Sequence, residues 1–250
     1  MPVYPVKHVS WGEVVEWTSR LADRIEASGF RADAVVAVGR GGYVVSRILC
    51  DLLGVEKLVS LPIRWSSGGP GESYLEDLVR CFRRFGGPEA GGCVGDVVRR
   101  LRLETPVRVS ADLRGMRALA VEEISATGVQ LARAREVVVG EWGAAEARTA
   151  ALVWKASTSS LRPDYTFIET RSFVWFQFPW SRLSDYRAFA RVAISESCSP
   201  GSRLTLRDVV ELFREWYGFE PEERYLRRAL RRLAGEGFLV EEPGGAYRVP

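Results

Sequence analysis

The stretch from 118 to 131, Ala-Leu-Ala-Val-Glu-Glu-Ile-Ser-Ala-Thr-Gly-Val-Gln-Leu, limits the fold more than any other part of the chain. Ala118 to Val121 is an apolar run without polar alternation, the pattern of a strand covered on both faces in a parallel sheet. Gly128 permits a tight turn, so the backbone amides of a helix beginning near Val129 are free to face an anion. Glu122 and Glu123 sit at the strand end just before this turn, where carboxylates can hold sugar hydroxyls. The expectation is a site for a phosphate and a sugar. Two acids before a glycine turn also fit a solvated strand-to-helix connection, and this short stretch alone does not separate the two.

Three further segments follow the same logic. Residues 34–38 (Ala-Val-Val-Ala-Val) form a second apolar strand, Gly39-Arg40-Gly41-Gly42 a turn, and 43–53 an amphipathic helix. Glycines let a backbone approach a phosphate closely, and Arg40 adds a permanently charged fork that binds one bidentately. Residues 147–157 form another strand-like run that reaches Lys155, one of only three lysines, with Lys7 and Lys57, among 35 basic residues. Residues 172–180, Ser-Phe-Val-Trp-Phe-Gln-Phe-Pro-Trp, offer flat rings suited to a planar base, or to an aromatic core cluster.

In this order the four segments resemble the type I phosphoribosyltransferases, closest to the archaeal-type purine branch, and the likeness covers about residues 4–182. The front of the chain joins in: Tyr4-Pro5-Val6-Lys7 and Ser10-Trp11-Gly12-Glu13 look like that branch, and Ser10 and Glu13 have capping-box spacing for a helix to about Ser28. The resemblance implies an α/β fold with a mostly parallel twisted sheet and helices on both faces. It implies that Gly39, Arg40, Gly41 and Gly42 bind the pyrophosphate of PRPP, with a non-proline cis peptide at Gly39-Arg40. Ser125, Ala126, Thr127, Gly128, Val129 and Gln130 would hold the 5′-phosphate, and Glu122 and Glu123 the ribose, stabilising the cationic sugar that develops as pyrophosphate leaves. Lys155 would donate to purine O6, Trp175 would stack on the base, and the backbone at Phe176 would meet its exocyclic position. Magnesium would arrive with PRPP rather than stay bound.

Three departures bear on the chemistry. Ala126 stands where 6-oxopurine enzymes carry an aspartate proposed as the base at purine N7. Ala-Thr-Gly is what the adenine-specific branch carries, with an acid from a mobile loop instead, and Glu72 and Glu76 are candidates for that acid here. Val129-Gln130 replaces glycine and a hydroxyl residue, so weakened phosphate binding is expected, with backbone amides carrying most of it. Finally, residues 66–113 are long for the family's catalytic loop. They open on Gly68-Gly69-Pro70-Gly71 and hold helix-like stretches at 74–85 and 94–103, the pattern of a helical subdomain or a hood.

Residues 183–250 read differently, giving domains at 1–182 and 183–250. A helix at 183–194, a linker-like 196–203, a helix capped by Thr205 and Asp208 that runs to about Tyr217, a turn at 218–221, another helix ended by Gly237, and a hairpin resemble a winged-helix domain, a small α+β module. Leu226, Ala229, Leu230 and Leu233 make an apolar stripe, and Arg224, Arg227, Arg228 and Arg231 a basic one that is a candidate DNA contact. Against this, residues 199–250 hold nine arginines and nine acids, which fits a solvated face or a protein contact equally.

Composition sets outer bounds. The 250 residues, 46% hydrophobic, can fill one full domain core and a small second one. No run approaches a membrane span and the first residues lack a signal peptide's apolar core, so a cytoplasmic protein is expected, as a homodimer or larger homo-oligomer. A single histidine, His8, excludes His-based triads. Cys50, Cys81, Cys93 and Cys198 lack metal or disulfide spacing and read as reduced. Two functions remain: a purine phosphoribosyltransferase with an accessory tail, or a regulator that senses PRPP or a nucleotide and contacts DNA.

Overall fold

The structure, a computed structural model, describes residues 2–65, 72–85, 90–100, 103–104, 109–171 and 174–250. Gly68-Gly69-Pro70-Gly71 and Ser172-Phe173 lie outside them. The chain divides into two compact units, residues 11–69 with 98–172, and residues 1–10 with 70–97 and 173–250.

The first of these is built on a five-stranded sheet. Strands β2 (Ala34–Gly39), β3 (Leu58–Pro62), β6 (Arg117–Ser125), β7 (Glu146–Lys155) and β8 (Tyr165–Thr170) lie in the order β3-β2-β6-β7-β8, every neighbouring pair parallel, while the short β4 (Arg64–Trp65) and β5 (Leu103–Glu104) pair antiparallel with one another. The apolar runs are explained by position: all six residues of β2 are buried, as are Ala118 to Val121 in the middle of β6. Helices α1 (Trp11–Ala27) and α2 (Gly42–Leu52) pack on one another and on the sheet. Residues of α5 (Val129–Glu136), with Val137, Val138 and Trp142 just beyond, form a core with Ala34, Val36, Val38, Ala118 and Ala120, the alternate residues of β2 and β6. Successive side chains point to opposite faces, so the neighbours Val35, Ala37 and Leu119, equally buried, serve the other layer.

This order has a consequence for function. From β2 the chain continues to β3 on one side, and from β6 to β7 on the other. The turns after β2 and β6 therefore leave in opposite directions, opening a crevice at the carboxyl ends of the two central strands, where open α/β sheets hold ligands.

The other unit joins segments distant in sequence. Strand β1 (Val6–His8) pairs in parallel with β9 (Trp175–Gln177). Helix α6 (Arg182–Ser197) packs on α7 (Leu206–Tyr217), on α8 (Glu223–Gly235) and on α3 (Glu72–Phe85). The short strands β10 (Arg203–Leu204), β11 (Val240–Glu242) and β12 (Ala246–Arg248) make an antiparallel sheet ordered β10-β12-β11. Helix α7 starts where expected: Thr205 accepts from the Asp208 amide while Asp208 accepts from the Thr205 amide, a reciprocal capping box, and Gly218 ends it at φ 75°. The core is aromatic, with Tyr186, Phe189, Phe213 and Tyr217 buried and the Tyr217 hydroxyl donating to the Phe189 carbonyl at 2.8 Å. Helix α3 joins this core through Phe82, which meets Tyr4 edge-on at 4.8 Å, and through an Arg83–Glu196 ion pair.

Two of the four cysteines correct the expectation of reduced thiols. Cys81, in the last turns of α3, and Cys93, in the first turn of α4 (Gly91–Arg99), form a disulfide with Cα atoms 5.7 Å apart. The bond joins residues twelve positions apart on two different helices, a proximity that no linear spacing rule registers. Cys50 and Cys198 are free, and burial raises both thiols above their ordinary value, so neither is poised to react. Serine at Cys81 and Cys93 is expected to cost about 3 kcal/mol of stability, the loop-closure value for a loop of this size. Thermal unfolding of the double variant beside the parent in oxidising and reducing buffer checks this: reductant should lower the parent's Tm and leave the variant's unchanged.

Candidate active site

Three strands of the parallel sheet deliver the expected site residues to one end. In register, Ala37 of β2 lies beside Val121 of β6, so Gly39 comes level with Glu123. Glu122 lies beside Ala151 of β7 and Ser125 beside Trp154, which puts Lys155 at the mouth of the turn after β6. The Gly39–Arg40 peptide is cis.

The glycines of the 39–42 turn are explained by what touches them. A Cβ on Gly41 would stand 1.5 Å from Oε1 of Glu123, and one on Gly42 would stand 2.3 Å from the Val121 carbonyl oxygen. The turn is thus pressed against the end of β6, its backbone beside the Glu123 carboxylate. Arg40 is exposed at its tip. Helix α2 begins with no side-chain cap and no acid in its first turn, which leaves its leading amides and positive dipole end to an outside anion.

The second turn is similar. Gly128 caps α5 at φ 79°, a left-handed conformation that disfavours any side chain; the Val129 amide donates to the Thr127 hydroxyl at 3.3 Å, and the first turn again holds no acid. A loop that the sequence reading did not single out braces it. Thr158 donates to the Ala126 carbonyl at 2.6 Å, Ser160 donates to the Thr127 carbonyl through its amide at 2.8 Å and its hydroxyl at 3.0 Å, and the Ser125 and Ser159 hydroxyls lie 3.3 Å apart. Ser157-Thr158-Ser159-Ser160 was the available signal, a run of hydroxyl residues directly after a buried strand. Ser125 and Thr127 are buried, Ala126 and Gln130 half-buried, and Val129 is exposed.

The charges are unusual. Glu122 is only 6% exposed, and burial first, then the Glu123 charge beside it, push its carboxyl well above the ordinary carboxylate range. Lys155 is partly buried, and desolvation lowers its ammonium from 10.5 to about 8. Both shifts are those of groups held in a low-dielectric site, and perturbed groups gathered at a crevice mark functional sites.

Trp175 and Phe176 belong to the other unit. There the Trp175 ring meets Phe189 at 5.8 Å, Tyr74 at 6.3 Å and Tyr4 at 6.5 Å. Its side chain hydrogen-bonds Asp185, whose carboxyl burial raises to about 7 against hydrogen bonds from Ser181, Trp175 and Gln177. Phe176 lies opposite Lys7 in the β1–β9 pair. Of the two candidate loop acids, Glu76 is 3.9 Å from Arg80 within α3, and Glu72 begins that helix. A surface hollow lined by Asp112, Arg114, Glu141 and Trp142 lies at the amino ends of β6 and β7, the opposite end of the sheet from Glu122 and Lys155. Among the described residues no group of three or more His, Cys, Asp and Glu is arranged to hold a metal, and no helix is long and apolar enough to cross a membrane.

A parallel sheet with a glycine-lined turn and an amide-lined turn at its central switch point is the layout of an anion-binding α/β fold, and the chain belongs to the phosphoribosyl transferase domain family, whose model matches residues 11–186. Among solved structures, a purine phosphoribosyltransferase from Pyrococcus horikoshii superposes with a TM-score of 0.51 at 23% identity, over 70% of this chain and 92% of that one. A hypothetical protein from Neisseria gonorrhoeae with bound ppGpp gives 0.51 at 16% identity, over 77% and 97%. A xanthine-guanine-hypoxanthine phosphoribosyltransferase from Helicobacter pylori gives 0.46 at 17%, over 68% and 90%. No curated protein sequence matches the chain.

Proposed function

We propose that this chain transfers the 5-phosphoribosyl group of magnesium-bound PRPP to a 6-oxopurine, giving a nucleoside monophosphate and pyrophosphate. The observation that carries the reading is the seating of the 39–42 turn against Glu123, beside the Gly128 turn that opens α5, because it sets two anion cradles about one acidic pair. Pyrophosphate lies over Arg40 and the first turn of α2, and the 5′-phosphate over residues 125–130. Glu122 and Glu123 take the ribose hydroxyls. As the C1–oxygen bond to pyrophosphate breaks, positive charge builds on the sugar, and the acidic pair opposes it at close range. The purine nitrogen then bonds to C1 from the opposite face and releases its proton to solvent, while Lys155 donates to O6. Ala126 supports a second reading, a PRPP or nucleotide sensor, since it offers no proton acceptor and its carbonyl is already engaged by Thr158.

Pyrophosphate release with hypoxanthine, guanine, xanthine and adenine offered separately distinguishes the two. Turnover with an oxopurine supports the enzyme; PRPP binding in calorimetry without turnover of any base supports the sensor. Lys155 adds a pH signature. Charged below about 8 and neutral above it, it should hold O6 well at pH 7 and weakly at pH 9. The ratio of KM for Lys155→Met to KM for the parent, which cancels ionisation of the base itself, is expected to be about tenfold or more at pH 7, the worth of one charge-assisted hydrogen bond. It should shrink as pH rises through 8, and with adenine it should stay near one.

A further inference from the structure

We infer that residues 183–250 form a winged-helix module that binds duplex DNA, with α8 as the helix that enters the groove. The topology supports the shape: helix α6, a short strand β10, helices α7 and α8 joined through a tight turn, then the hairpin β11–β12, with β10 added to the β12 edge. Within α8 the two stripes separate cleanly. Leu226, Ala229, Leu230 and Leu233 are fully buried, while Arg224, Arg227, Arg228, Arg231 and Arg232 are exposed on the opposite face.

The equal count of arginines and acids in the tail conceals where the acids are spent. Glu222 pairs with Arg182, and Glu236 with both Arg187 and Arg191, all three arginines belonging to α6. Glu242 pairs with Arg203 and Arg248, Glu211 and Glu220 with Arg214, and Asp208 closes the cap of α7. On α8 itself, among the described residues, Arg227 alone has a carboxylate, Glu223 at 2.7 Å, and Arg224 lies over the Tyr225 ring. Arg228, Arg231 and Arg232 have no carboxylate partner among the described residues. Glu241 on β11 acts on Tyr247 alongside Arg231 and Arg227, so one acid does face this side of the hairpin. The local balance on α8 remains five arginines to one glutamate.

That is the local basic patch that phosphate attraction requires, on the second helix of a helix-turn-helix, the element such modules place in the major groove. The groove of B-form DNA admits a helix and that of duplex RNA does not, so the partner is duplex DNA. DNA binding by this module does not depend on which base the other unit takes.

Anisotropy of a labelled DNA duplex of roughly 24 base pairs, about two helical turns, titrated with the full chain from about 50 to 200 mM salt, tests it. Binding at the lowest salt is expected. Arg228→Gln/Arg231→Gln/Arg232→Gln should weaken it at least about tenfold and flatten the plot of log K against log salt by about 0.9 for each phosphate no longer neutralised. Because these side chains carry no ion pair, Tm should not move. Arg20→Gln/Arg31→Gln/Arg47→Gln removes equal charge from α1, its end and α2, and should change affinity less than twofold. No binding at about 50 mM salt, an equal loss in both triple variants, or equal affinity for a duplex RNA of the same sequence would each overturn the inference.

Discussion

Glutamine at both Glu122 and Glu123 is expected to lower kcat for pyrophosphate release by about 10²–10³-fold while changing KM for PRPP only a few-fold. Glutamine keeps the size of glutamate and can still bond a ribose hydroxyl, so ground-state binding largely survives. What it removes is negative charge near a sugar that is neutral in the ground state and cationic in the transition state. At an effective dielectric of about 20 and a separation of roughly 5 Å, one charge pair is worth about 3 kcal/mol, or about a hundredfold in rate. Glu123 supplies that charge, and Glu122, which burial keeps protonated in the empty site, adds a second only as the developing sugar cation draws off its proton, which sets the upper end of the stated range. A rise in KM with kcat intact would instead make the acids a binding device, as the sensor reading requires.

Stability should move the other way. The buried Glu122 carboxyl is raised well above its ordinary 4.5, so the folded protein holds a proton that the unfolded chain releases. Below pH 4.5 the group is protonated in both states and imposes nothing on folding. As pH rises through that value the unfolded chain binds fewer protons than the folded one, and the charge disfavours folding increasingly until the folded-state value is passed. Glu122→Gln removes this burden. Its Tm should match the parent's near pH 4 and exceed it near pH 7, so the variant that loses activity gains heat resistance, the exchange expected where an active site keeps a costly buried acid. Calorimetric scans at the two pH values measure the sign directly.

How much of this was legible in the chain follows from which interactions are local. The strands were readable because a fully buried parallel strand has no polar alternation, and β2 and β6 are covered on both faces. The capping box at Thr205 and Asp208, the stripe on α8 and the Gly128 turn all act within a few residues, so their signals lie in short windows. The cis peptide at Gly39-Arg40 came from the resemblance, since nothing in the local residues demands it. What stayed hidden was long-range. The Cys81–Cys93 bond depends on two different helices meeting, and the bracing of the 125–128 turn depends on residues some 30 positions later. The exposed arginines of α8 looked balanced until α6 was seen to take up Glu222 and Glu236. Compact units that join residues 1–10, 70–97 and 173–250 are likewise invisible to any reading that moves along the chain.

Gly42→Ala puts local and long-range effects in direct opposition. Gly42 is the first residue of α2, and in a helix alanine is ordinarily favoured over glycine by up to about 1 kcal/mol. Its Cβ, however, would stand 2.3 Å from the Val121 carbonyl oxygen and 3.2 Å from the Glu122 Cα, both backbone atoms that no rotamer change can move. Relief requires α2 and the 39–42 turn to back away from β6, a strain of about 1–3 kcal/mol that outweighs the propensity gain. Gly128→Ala meets a similar obstacle, with the Leu161 amide nitrogen at 2.5 Å, and adds a left-handed φ that costs alanine about 1–2 kcal/mol more. Both should lower Tm, and PRPP affinity should fall at least about tenfold, since a cradle displaced by even 1 Å loses its aligned amides. Gly140→Ala, inside the helical segment 137–141 with open space about its Cβ and no positive φ, should leave PRPP affinity unchanged and raise Tm slightly if at all. If Gly42→Ala instead raised Tm and bound PRPP as the parent does, the turn would not be held against the acidic strand end, and the cradle that supports the transferase reading would be lost with it.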